Sequence, residues 1–115
     1  MINWLSKVLT ADSGLSQIPH QFPGMPWEEV EHYWERSPLS LVGNVTTPTL
    51  LITGVNDKRT PMSETEQFYQ ALKLRKVDTV LVKVPGAAHG IASRPSRMVG
   101  KIENIIGWFD KYRAD

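Results

Sequence analysis

Cysteine is absent from the 115-residue chain. Disulfide staples, thiolate nucleophiles and cysteine-ligated zinc are thereby excluded. The compartment stays open, because a cysteine-free protein suits either redox environment. A surplus of charge is missing as well: 13 Lys and Arg face 12 Asp and Glu, for a formal net charge of +1. Such a chain has no long-range field to draw it to nucleic acid or to an anionic membrane, and no basic run interleaved with aromatics occurs. Neither a nucleic-acid nor a membrane partner is expected. No apolar run approaches the ~18 residues that span a bilayer. The opening residues, MINWLSKVLTADSG, lack the basic start and apolar stretch of a signal peptide. Internal repeats and low-complexity stretches are missing too.

What remains is an ordinary globular composition, 41% hydrophobic and 22% charged, which argues against disorder. The length suits one small domain but falls short of the roughly 200–250 residues of large α/β folds. Four tryptophans are many for so short a chain. Trp4, Trp27 and Trp34 fall in the first third, where few aliphatic side chains are available to cover them. Part of their packing surface is expected elsewhere.

Ser, Gly and Pro scattered through Asp12–Pro26 predict an irregular N-terminal segment, residues 1–26. Pro26 then predicts a helix from Trp27 to about Glu35, with Glu28 and Glu29 at its positive end. Pro38–Val42 reads as a further helical turn. Thr47–Gly54 is a continuous apolar run closed by glycine, the pattern of a strand buried on both faces of a parallel sheet. Ser63 and Glu66 form a capping-box pattern opening a helix to about Arg75. Asp78–Val84 reads as a second strand, ended by Pro85-Gly86. From Pro95, an apolar stripe of Met98, Ile102, Ile105, Ile106, Phe109 and Tyr112 predicts a closing helix. Strands alternating with helices imply an α/β fold with parallel pairing. Two strands alone leave both sheet edges unpaired, so further strands are expected outside these residues.

In open α/β sheets, reactive groups gather beyond the carboxyl ends of the strands. Asp57 follows the first strand and His89 the second, so parallel strands would put both on one sheet edge. A carboxylate there could fix the tautomer and orientation of the imidazole, as a general base requires. The plain alternative is that Asp57 only shapes a Val-Asn-Asp turn and that His89, between Gly86 and Gly90, is an exposed loop residue. No Gly-x-Ser-x-Gly occurs, and Gly14-Leu15-Ser16 matches only its first half without a preceding strand. Ser13 and Ser16 read as polar loop residues. His20 and His32 lack the i, i+4 spacing of a helical metal pair and are assigned exposed or structural roles. No metal or other cofactor is expected.

Two segments carry a more specific signal. Gly54-Val55-Asn56-Asp57-Lys58-Arg59-Thr60-Pro61 and Pro85-Gly86-Ala87-Ala88-His89-Gly90 resemble the acid and histidine segments of prolyl-oligopeptidase-family serine peptidases. Arg36-Ser37-Pro38, Pro48–Ile52 and Ile106–Tyr112 resemble the stretches around them. The resemblance covers residues 36–113, with Ile2-Asn3-Trp4 attached, and points to the acylaminoacyl-peptidase and dipeptidyl-peptidase-like branch. It implies the C-terminal part of an α/β-hydrolase catalytic domain over residues 1–115. Asp57 would be the triad acid and His89 the base. The serine, the oxyanion donors and the family's N-terminal β-propeller would lie in sequence that this chain does not contain, so inactivity of the chain alone is expected. Arg59 is expected to hold the acid loop by an ion pair or to be simply exposed.

Three readings follow. The first is a serine-type peptidase fragment with a peptide as substrate. The second is an esterase fragment of the same fold. The third is a non-catalytic module that self-associates, or pairs with the missing N-terminal half, through exposed strand edges.

Overall fold

The computed structural model describes residues 1–113. In chain order it contains α1 (Trp4–Lys7), α2 (Gly14–Gln21), α3 (Val30–Glu35), a 3-10 segment (Pro38–Asn44), β1 (Thr49–Gly54), α4 (Met62–Leu74), β2 (Thr79–Val84), a short 3-10 turn (Ile91–Ser93) and α5 (Pro95–Tyr112). β1 and β2 pair in parallel, with Thr49 opposite Thr79 and Gly54 opposite Val84. The α4 crossover between them is what parallel neighbours require.

The segment expected to be irregular holds two helices. Asn3 opens α1, its side-chain oxygen accepting from the Leu5 N–H at 3.0 Å. Gly14 starts α2 because a Cβ there would lie 2.2 Å from the Val8 carbonyl oxygen. α2 tolerates Pro19 in its interior, against the local signal. Tertiary burial outweighs that signal: Trp4, Val8, Ile18, Phe22 and Tyr33 form one core cluster. Phe22 stacks on Tyr33 with ring centroids 3.8 Å apart and meets Trp4 edge-on at 5.0 Å. The Tyr33 hydroxyl donates to the Gly24 carbonyl at 2.7 Å. The helix expected from Trp27 begins only at Val30. Trp27 and Trp34 stay 69% and 40% exposed.

α4 starts at Met62, and no side-chain cap bond forms at its N-terminus. The expected Ser63–Glu66 capping box is therefore not made. The neighbouring Glu64 is taken instead by the N-terminal segment. Its buried carboxylate accepts from the Asn3 N–H at 2.9 Å, the Ile2 N–H at 3.3 Å, the Ser6 hydroxyl and the Gln67 amide. Buried Ser37 accepts from the Trp4 N–H and donates to the Tyr33 carbonyl, both at 2.8 Å. These bonds fasten the start of the chain to α3 and α4.

α5 is the contrast. None of its residues is buried. Met98, Ile102, Ile106 and Phe109, half of its apolar stripe or more, stand between 47% and 67% exposed.

Candidate catalytic site

The two strand ends set the geometry. Beyond Gly54, the Val55 N–H bonds to the Val84 carbonyl at 3.0 Å and the Asn56 N–H to the Ala87 carbonyl at 2.9 Å. The loops after β1 and β2 therefore run against each other. Gly54 is required at this crossing, since a Cβ would sit 2.3 Å from the Ala87 oxygen and 2.5 Å from that of Ala88. Gly86, at φ +68°, turns the second loop back toward the first.

Asp57 and His89 meet at that crossing. His89 Nδ1 lies 2.9 Å from Asp57 Oδ2, with the carboxylate side chain 6% exposed and the imidazole 61% exposed. Asp57 Oδ1 accepts the Arg59 and Thr60 N–H groups, both at 2.9 Å. The Thr60 hydroxyl donates to Oδ2 at 3.0 Å. Burial pushes the Asp57 carboxyl up, but the Thr60 N–H, the His89 ring and the Thr60 hydroxyl together outweigh it and hold the carboxyl below its ordinary value. The acid is thus kept ionised against an accessible ring. Among the described residues, the side-chain partners of His89 are Asp57 and Thr60, and neither is a serine.

Arg59 forms an ion pair with Asp12 at 3.0 Å, with the two side chains 62% and 44% exposed. At that exposure the pair contributes about 0–1 kcal/mol. Its backbone companion is tighter: the Asp12 N–H donates to the Lys58 carbonyl at 2.8 Å. The acid loop is anchored to the N-terminal unit in this way. Sequence reasoning missed Asp12, which nothing marks as a partner of the distant Arg59. It also missed Thr60, whose place three residues after an aspartate is a detectable turn signal.

A cleft of about 490 Å³ opens at His89, lined in part by Asp12, Asn56, Arg59, Ala88 and His89. A larger, apolar cavity of about 740 Å³ lies among Leu15, Ile18, Phe22, Met25 and Trp27, and neither Asp57 nor His89 lines it. The smaller cleft is the one with chemistry in it. His20 is exposed, and His32 accepts from the Arg36 Nε–H at 2.6 Å. Among the described residues no three His, Asp or Glu gather closely enough to hold a metal ion. No described helix is long and apolar enough to cross a membrane.

The β–α–β unit of parallel strands, with its cleft past the strand ends, matches the C-terminal part of the α/β-hydrolase domain of acylaminoacyl peptidases. The chain belongs to the prolyl oligopeptidase family of serine peptidases, which it matches over residues 1–115. It is 34% identical to the uncharacterized peptidase YuxL of Bacillus subtilis over 96% of its own length and 17% of that protein's. It is also 34% identical to the acylamino-acid-releasing enzyme of Arabidopsis thaliana, over 74% of this chain and 11% of the other. Its structure superposes on the acylaminoacyl peptidase of Pyrococcus horikoshii with a TM-score of 0.85 at 26% identity, covering 100% of this chain and 20% of that one. The chain thus spans a fifth or less of the relatives it resembles.

Proposed function

We propose that this chain supplies the general base and its orienting acid to a serine peptidase active site acting on peptide substrates. The observation that carries the reading is the 2.9 Å contact of His89 Nδ1 with the ionised, buried Asp57 carboxylate, on adjoining strand-end loops. His89 donates its Nδ1–H to Asp57, which leaves Nε2 as the basic nitrogen. Nε2 takes the proton from a serine hydroxyl as its oxygen attacks the scissile carbonyl carbon. The imidazolium that forms is stabilised by Asp57, and it returns the proton to the leaving amine nitrogen when the C–N bond breaks. Water then enters by the same base and releases the acyl group.

The serine comes, on this reading, from polypeptide other than these 115 residues, which contain no Gly-x-Ser-x-Gly. The chain alone is inactive. The unpaired outer edges of the described two-strand sheet and the exposed face of α5 support packing against that further polypeptide. The reaction uses no cofactor.

A graft tests the proposal. Residues 1–115 would replace the matching segment of the Pyrococcus acylaminoacyl peptidase, and hydrolysis of a peptide anilide and of the corresponding ester would be measured. The folded chimera is expected to cleave the anilide, and His89→Ala to lower kcat by about 10⁴-fold or more. A folded chimera cleaving only the ester would make the site an esterase's. A His89→Ala chimera as active as its parent would remove the base from the mechanism.

A further inference from the structure

We propose that Thr60 is a positioning residue whose hydroxyl locks the Asp57 carboxylate in the orientation that faces His89. The proposal rests on the acid–base reading of that pair. Thr60 grips both carboxylate oxygens at once: its N–H bonds Oδ1 at 2.9 Å and its Oγ1 bonds Oδ2 at 3.0 Å. The final torsion of an aspartate side chain is broad and roughly two-fold. Without the hydroxyl, Oδ2 would be held by the exposed His89 ring alone, and with it the acid is fixed independently of the ring.

The same hydroxyl lies 3.3 Å from His89 Nδ1. With the 2.9 Å Nδ1–Oδ2 contact, the three atoms close a triangle. The hydroxyl proton goes to Oδ2, the anionic acceptor. Its lone pairs are then left toward the ring, where they favour an N–H at Nδ1 over a bare nitrogen. Thr60 is itself carried on firm support, because Pro61 follows it directly and α4 begins at the next residue. Few other charges compete for the pair. Arg59, on the same loop, is drawn to Asp12, and from the N-terminal segment the Met1 amino group feels the charge of Asp57.

The plain alternative is that Thr60 does no more than shape the turn. The Arg59 and Thr60 N–H groups would suffice for that, and valine keeps both. Thr60→Val therefore separates the two roles. In the isotopically labelled chain, the Asp57 carboxyl carbon and the His89 ring nitrogens would be followed by NMR through a pH titration. The expected result in Thr60→Val is an upward shift of the Asp57 midpoint and a weakened preference of the neutral His89 ring for a proton on Nδ1, with backbone amide dispersion kept. Thr60→Ser restores both. The proposal is overturned if Thr60→Val titrates like the unmodified chain, or if Thr60→Ser behaves like Thr60→Val. Should the valine methyl unfold the loop, Thr60→Ser against Thr60→Ala carries the test, and equal spectra for those two overturn it. An unmodified chain whose neutral His89 carries its proton on Nε2 overturns the acid–base reading itself, and Thr60's role with it.

Discussion

The residues before β1 enclose an apolar core, whereas α5, after β2, buries none of its residues. In the first region Trp4, Val8, Ile18, Phe22 and Tyr33 are all at most 8% exposed. In the second, Ile102, Ile106 and Phe109 of α5 are 48%, 53% and 67% exposed. The first region closes a core from its own side chains, although Leu15, Trp27 and Trp34 beside it stay 68%, 69% and 40% exposed. The other presents an apolar face of the kind that marks a contact surface. The Asp57–His89 pair lies on the seam between them. Its acid loop is fastened to the N-terminal unit through Asp12, and its histidine loop leads into α5. Geometry at the site is set from the closed side and the strand ends, and α5 adds a bond from the Arg97 guanidinium to the Pro85 carbonyl of the histidine loop at 3.4 Å.

That contrast can be broken from the closed side first. Tyr33→Ala removes a fully buried ring, its stacking on Phe22 and its bond to Gly24. It is expected to cost about 3–5 kcal/mol by urea denaturation. Glu64→Ala orphans the Ile2 and Asn3 N–H donors and takes one of two partners from the Ser6 hydroxyl and the Gln67 amide. An expected loss of about 3 kcal/mol follows, and Glu64→Gln, which keeps an acceptor, should lose clearly less. At the seam, Gly54→Ala forces a methyl against two carbonyl oxygens. It should cost about 1–3 kcal/mol and shift the His89 resonances, whereas a comparable cost with unmoved His89 signals would detach the crossing from the site.

The pH dependence is a smaller effect with a definite sign. The folded Asp57 carboxyl titrates below its ordinary value of 3.8. The stability it contributes is complete above that value and is lost as pH falls below it toward the folded midpoint. Denaturation curves between pH 2 and pH 6 should show an acid-side loss that Asp57→Asn diminishes. Smallest of all, Phe109→Ser on the open face should change stability by no more than about 0.5 kcal/mol. It should nonetheless reduce self-association in sedimentation velocity. A large destabilisation there would mean that α5 is packed within this chain after all.

The strands and the candidate pair were legible because their signals are local. Thr49–Gly54 is an uninterrupted apolar or β-branched run closed by glycine, and Thr79–Val84 is one broken only by Lys83 and closed by proline. Asp57 and His89 each stand a few residues past such a run. α1 and α2 were not legible, since Gly14, Ser16 and Pro19 are turn formers read one at a time. Only burial of Ile18 and Phe22 against Tyr33, from beyond the segment, makes a helix of them. The capping box failed for a similar reason. Ser63 and Glu66 have the right spacing, but the N-cap of α4 is Pro61, two residues before Ser63, and Glu64 is committed to Ile2 and Asn3, some 60 residues away in sequence. Long-range polar contacts of this kind leave no periodic trace.

The most direct test of the central claim is the ¹⁵N spectrum of His89 in the unmodified chain, taken where the ring is neutral, beside that of Asp57→Ala. An orienting acid and a base in waiting require a protonated Nδ1 and a bare Nε2 in the first sample, with that preference lost in the second. A proton on Nε2 in the unmodified chain, or spectra that the substitution leaves unchanged, would contradict the account.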